Sequence, residues 1–274
     1  MTDFRRITNQ VLSTAKNGRI GIRAFETNLL QIAKQIRQDA QSAWLGVWGQ
    51  SLNYDEHEQA RIVDPKLLNV IGRIAQHPIR DGRSYHAGLM HTYGYLLSNL
   101  KTRFGYKRKR WTDGLIESSL SLEPGVLSPR PGQGTLLQNV SFMMSQIAFP
   151  TEQQKPAMPT DTIPDSLQRV RFDRLNITRI TEEVQLSSSR KRLKIYTDLV
   201  RFKPACPLDY LLVYSIKSGS TSQLITCFPT NTISAKELLA NAESNDTPIR
   251  PRFNLAFDNF PTTGLNGKRT VVQR

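Results

Sequence analysis

The sequence predicts an α+β protein, with a mainly helical region over residues 1–149 and a small antiparallel β-meander carrying a short helix over residues 167–274. Three observations predict it. Apolar residues before residue 150 recur at three- and four-residue steps. Runs rich in β-branched and aromatic residues, separated by turn chemistry, follow residue 190. Between them lies PTEQQKPAMPTDTIPDS, residues 150–166, with four prolines and few large apolar side chains. Proline removes backbone donors and biases the preceding residue toward extended conformations, so 150–166 reads as a linker or an exposed loop.

In the helical region, Leu29, Ile32, Ala33, Ile36, Ala40 and Trp44 form one apolar stripe. Asp64-Pro65 is a cap followed by proline in the first turn, and Leu67, Leu68, Ile71 and Ala75 continue that helix. Leu89, Tyr93, Leu96, Leu97, Leu100 and Phe104 form a third stripe, and Thr135 caps a helix carrying Leu136, Leu137, Val140, Met143, Met144 and Ile147. RVRFDRLNI, from Arg169, fits either a strand with one basic face or a helix. RLKIYTDLVRF (192–202), DYLLVYSIK (209–217) and 223–228 read as strands. Ser218-Gly219-Ser220-Thr221 turns the last two into a hairpin that places Cys227 opposite Leu212. SAKELLANAE from Ser234 is a short capped helix, and RFNLAF (252–257) a fourth strand.

Lys and Arg number 37 against 23 Asp and Glu, a formal charge of +14. The surplus is +8 over residues 1–150 and +6 over the rest, so both halves are basic. Such a balance excludes an acidic solvating chain and points to a polyanionic partner. No run of 18 apolar residues occurs and the start lacks the apolar core of a signal peptide, so a cytoplasmic protein with no membrane partner is expected. Cys206 and Cys227 alone build neither a disulfide scaffold nor a cysteine zinc site. His86 and His91 stand five apart, off one helical face, and Glu56-His57-Glu58 reads as a solvated loop, so neither a metal nor a cofactor is expected. Asp198 with Ser215-Ile216-Lys217 has serine where a metal-dependent nuclease needs its second acid.

The densest polar stretch runs from His77 through Arg80, Arg83 and Tyr85 to His86, pairing a proton shuttle with phosphate clamps, or else simply connecting two helices. Lys107, Arg108, Lys109 and Arg110 run directly into Trp111, and Arg190, Lys191 and Arg192 lead into the first strand. Adjacent cations beside an indole suit phosphate contact with base stacking; the bland alternative is a solvated loop.

Through the order of YLLVYSIK, SQLITCFP and RFNLAF, the C-terminal region resembles the barnase/colicin/RelE-like ribonuclease toxins. That resemblance implies RNA cleavage without metal: attack of a ribose 2′-hydroxyl on the adjacent phosphate, served by a base, an acid and cations. On it, His86 is the expected base, Lys217 and Arg252 stabilise charge, and Tyr214 orients the phosphate. The second half has no histidine, so the base must come from the first. The expectation is therefore a protein acting on nucleic acid, RNA ahead of DNA, as a metal-independent endonuclease. The alternatives are a non-enzymatic nucleic-acid-binding protein, or an enzyme on a small phosphorylated substrate.

Overall fold

The computed structural model describes residues 3–77, 84–129, 133–149, 159–186, 191–202, 208–244, 246–257, 260–261 and 263–274. Residues 150–158 of the proline-rich stretch, with Arg80, Arg83, Arg190 and Cys206, lie outside them.

Helix α1 (Phe4–Ser13) begins at Asp3, whose carboxylate accepts from the Arg6 amide, and α2 spans Ile22–Ala40. The first apolar stripe does not continue unbroken to Trp44. The Ser42 hydroxyl accepts from the Trp44 amide and starts a separate turn, α3 (Ala43–Gly46). Strand β1 (Gln50–Leu52) follows, then α4 (Pro65–Ile74), where Asp64 caps and Pro65 occupies the first turn as its sequence predicts. After β2 (Ser84–His86) and α5 (Ala87–Leu89), the helix widens into a π turn at Met90–Gly94. The third stripe is cut short there. Phe104 sits in a separate hairpin of β3 (Lys101–Thr102) and β4 (Gly105–Tyr106), because the Ser98 hydroxyl takes the Leu100 amide and turns the chain. A 3-10 turn at Lys107–Lys109 and α6 (Leu115–Ser119) lead to α7 (Leu136–Ala148). The Thr135 cap of α7 is a full capping box with Gln138.

Short α8 (Asp165–Gln168) precedes a 3-10 turn at Phe172–Arg174, so RVRFDRLNI is neither of the elements its pattern allowed. Five long strands then form the main sheet: β5 (Ile177–Gln185), β6 (Arg192–Arg201), β7 (Tyr210–Ser218), β8 (Thr221–Thr230) and, after α9 (Thr232–Glu243) and β9 (Leu255–Ala256), β10 (Gly267–Gln273). The order is β10-β5-β6-β7-β8, all antiparallel. Gly219, at φ +60°, supplies the two-residue hairpin between β7 and β8. A bulge between Tyr214 and Ser215 inserts Ile225 into β8, so Cys227 faces Val213 rather than Leu212. RFNLAF shrinks to the two residues of β9 and pairs with β1, because Phe253 and Asn254 are left-handed (φ +53° and +67°) and break the extended run.

One apolar cluster runs from Phe4 and Phe25 through Trp44, Leu67, Tyr93 and the whole of α7 to Val200, Leu211, Val213, Leu224 and Cys227 on the sheet. The other sheet face carries a smaller cluster of Leu193, Ile195, Leu199, Leu212, Tyr214 and Ile216 under α9 and the 249–265 segment. Helix α7 is buried on nearly every side, which is why its apolar pattern is broad rather than a single stripe.

Buried polar groups fix both ends of α7. At its start, fully buried Asp39 accepts from the hydroxyls of Thr135 (2.6 Å) and Tyr93 (2.5 Å), and the Gln35 side chain accepts from the Leu136 amide (3.0 Å). At its end, Arg179 and Arg274 donate to the carbonyls of Ala148 and Ile147 while both hold buried Asp198. Asp198 is thus a structural counter-ion, which removes it as a metal-binding acid. No helix among the described residues is long and apolar enough to cross a membrane.

Candidate functional site

The free side of β8 meets the helical region only briefly. The Gly49 amide donates to Leu224 O (2.9 Å) and the Leu224 amide to Val47 O (2.7 Å). Further along β8 the two diverge around a cleft of about 1320 Å³. One wall carries the Asp55–Glu58 turn, Tyr95 and the 107–110 turn; the other carries Thr226 and Phe228 of β8, with residues 250–257 and α9. Seven Lys or Arg and four Asp or Glu line it among the described residues, interleaved with six Phe or Tyr.

The 3-10 turn explains the helical wall. At three residues per turn, Lys107 and Arg110 fall on one side. Both lie over the Tyr95 ring, at 5.5 Å and 4.7 Å from its centroid. Lys107 pairs with Asp55 (2.9 Å), while Arg110 donates to the Cys227 carbonyl (3.0 Å) and has no ion pair among the described residues. Burial, then repulsion from Arg110, lowers the Lys107 ammonium to about 8 despite Asp55. Burial pushes the Tyr95 hydroxyl up to about 12. Burial also works to raise Asp55, but Lys107 and the amides of His57 and Glu58 outweigh it and hold the carboxyl below its usual value. At the rim, Arg103 donates to His57 Nδ1 (2.8 Å), and its amide to Glu58 (3.1 Å).

Behind this wall, His91 is fully buried between Ser51 Oγ (3.0 Å) and Thr226 Oγ1 (3.1 Å). The β8 bulge is what brings Thr226 to it. Burial, Arg110 and Lys107 hold His91 well below its ordinary value. It is a neutral strut, since the neighbouring cations oppose the imidazolium that a base must become.

The sequence-predicted residues divide sharply. Lys107, Arg110, Lys191 and Arg252 reach the cleft. Arg108 stacks on Tyr106 (4.0 Å), and Lys109 and Arg192 are exposed outside it. Trp111 is buried at 3% exposure and donates to His91 O (2.7 Å), so it is no stacking platform. Apolar packing claims an indole placed beside a core helix.

His86 is also corrected. Its Nδ1 accepts from the Leu89 amide (3.3 Å), capping α5, and Nε2 donates to Leu45 O (3.1 Å). With both nitrogens committed, and with burial and then His77 lowering it to about 4, His86 is not a base for the cleft. Lys217 lies on the sheet face opposite Tyr214, outside the cleft. Tyr214 is fully buried beneath it. Arg252 is committed to buried Glu182, which Arg269 also holds (2.9 Å), so Arg252 is not a free charge.

Sequence reasoning missed Asp55, Tyr95, Thr226, Phe228 and Phe253. Only the Lys107–Arg110 spacing carried a local signal; the rest are joined by strand pairing and by the approach of β8 to the helical region. No group of three or more metal-ligating side chains occurs among the described residues. Set against protein-family models, curated proteins and solved structures, the chain matches none.

Proposed function

We propose that the protein binds a single strand of nucleic acid, RNA ahead of DNA, in this cleft. The observation that carries the proposal is the charge of the helical wall: two cations share one tyrosine ring, and of the two only Lys107 is ion-paired among the described residues. Partly buried positive charge without a counter-ion is costly to keep, and an incoming phosphate supplies what is absent. Beside it lies an aromatic surface. Arg110 is 5.8 Å from the Phe228 centroid, and Phe228 is 5.4 Å from Phe253. Cations interleaved with ring faces are the pattern of sequence-tolerant strand binding, where each stacked base contributes about 1–3 kcal/mol.

A cutting role is the second reading, favoured by His57. Accepting from Arg103 at Nδ1 leaves its ring N–H on Nε2, a neutral donor able to hydrogen-bond the charge that develops on a phosphate, at the rim of the same cleft.

The test is fluorescence anisotropy with labelled RNA and DNA oligonucleotides in EDTA across a salt series, with gels to detect cutting. Arg110→Met is expected to weaken binding about 10- to 100-fold, as loss of a charged phosphate contact, and to flatten the log–log salt slope by about 0.7. Unchanged affinity in Arg110→Met sinks the proposal. Fragments formed in EDTA and lost in His57→Ala establish cutting; intact RNA throughout leaves a binding protein.

A further inference from the structure

Two polar atoms at the cleft's sheet wall are buried without a hydrogen-bond partner: the Tyr214 hydroxyl and Arg252 Nε. They are neighbours. Burial raises the Tyr214 hydroxyl, and Arg252 opposes that by approaching it from both backbone and side chain, but neither approach closes a full hydrogen bond. Guanidinium Nε only donates and a tyrosine hydroxyl can, so both stand ready for one acceptor. Unmade bonds of this kind are few in native proteins, and each calls for a cause.

Their surroundings suit an anion. Buried Glu182 accepts from Arg252 and from Arg269, so one carboxylate serves two guanidinium groups and a net positive charge remains. Arg252 is held in place by that pair before any ligand arrives. What closes the spot is Phe253, packed edge-on against Tyr214 (5.0 Å between centroids) and against Phe228. Phe253 and Asn254 are consecutive left-handed residues, a conformation that a bulky side chain rarely adopts. The Asn254 carbonyl accepts from the Leu52 amide (2.7 Å), tying this strained segment to β1. Strain persists where surrounding structure over-determines it, and it gathers at ligand clamps.

We propose that Tyr214 and Arg252 form an oxyanion-binding pair, covered by Phe253 in the unliganded protein and opened when a phosphate displaces that ring. It rests on the strand-binding reading for the identity of its ligand, while the pair itself requires only the oxyanion. The phosphate accepts from both donors, its charge is met by the Arg252–Glu182–Arg269 group, and the 252–254 segment relaxes from its left-handed turn. Lys107 and Arg110 then hold one phosphate and Tyr214 with Arg252 another, with Phe228 between them.

The experiment uses inorganic phosphate, with chloride at matched ionic strength, in the Arg110→Met background so that the helical wall does not contribute. Adding Tyr214→Phe removes only an unmade bond, so the Tm without phosphate should be unchanged or about 2 °C higher. Phosphate binding, followed by the rise in Tm, should weaken about tenfold. A Tm several degrees lower means the hydroxyl is partnered in the fold and overturns the pair; an undiminished phosphate response overturns it too. Hydrogen exchange of the wild-type segment 249–257 should change on adding phosphate, and an unchanged pattern refutes the opening. RNA separates the two proposals. Equal RNA affinity in wild type and Tyr214→Phe removes the pair and leaves the strand reading standing. Tyr214-dependent phosphate binding without RNA binding keeps the pair and removes the strand reading.

Discussion

Asparagine in place of Asp39 should abolish one specific component of the pH dependence of stability. Asp39 is fully buried at the start of α7, where burial raises its carboxyl from 3.8 to about 7 although the hydroxyls of Thr135 and Tyr93 pull it down. Below pH 3.8 the acid is protonated folded or unfolded, and the neutral-acid contribution is fully present. As pH rises from 3.8 to about 7, the unfolded chain loses this proton while the native state keeps it, so stability falls by about 1.4 kcal/mol per pH unit. The total is about 4 kcal/mol, and the loss is complete above pH 7. The substituted asparagine has no proton to lose. Its amide oxygen still accepts from Thr135, and its amide donates to a Tyr93 hydroxyl turned toward Gln35, which lies 3.3 Å away. Histidines complicate the raw curve, because His86 and His91 are depressed and their contribution is lost as pH falls below 6.5. That contribution is common to both proteins and cancels in the difference between them. Urea unfolding of wild type and Asp39→Asn at about pH 4 and about pH 8 measures it. Relative to wild type, the variant should gain about 4 kcal/mol between the two conditions. Parallel pH curves would refute the reasoning and mean that Asp39 is ionised in the native state.

Two further perturbations test the assignments made above. His86→Ala should cost about 1 kcal/mol through the lost α5 cap, measured by urea unfolding, and leave RNA affinity at the wild-type value; weaker RNA binding would return His86 to the cleft. Arg179→Met should destabilise by about 3 kcal/mol, because Asp198 is left buried with Arg274 as its remaining partner and the Ala148 carbonyl loses its donor. A change below about 1 kcal/mol would mean that the bridge is replaced by water.

The cleft exists because the sheet leaves one edge to be covered. An uncovered edge strand presents unpaired N–H and C=O groups, and β8 meets that demand in two ways. Residues 47–49 pair with Leu224, and Arg110 caps the Cys227 carbonyl. The same guanidinium that closes the edge therefore turns its face toward the cleft, where it meets Tyr95 and Phe228. Charge reached this place through a structural requirement, which is why one residue serves both the fold and the proposed ligand.

Local physics made much of the fold legible. Asp64 before Pro65, Thr135 before its apolar run, and Ser218-Gly219-Ser220-Thr221 act within a few residues of themselves, and each marks its element in any context that permits it. The α+β division follows from a change of hydrophobic period, which is also local. Strands β5 and β10 carry weaker alternation, since Arg179, Glu182 and Arg269 occupy buried positions that only mutual pairing makes tolerable. The site lay further out of reach. Lys107 and Arg110 could be read as neighbours, but not that Tyr95 lies beneath them. Burial decided that Trp111 is core and that Phe228 stays half-buried, and two committed ring nitrogens decided that His86 is a cap. By itself the sequence determined helices, turns, the hairpin and the excess of positive charge, because those depend on neighbours along the chain. Tertiary structure alone decided which cations lack an ion pair and which aromatic rings stay half-buried beside them, because both depend on groups that meet only when β8 folds against the helical region.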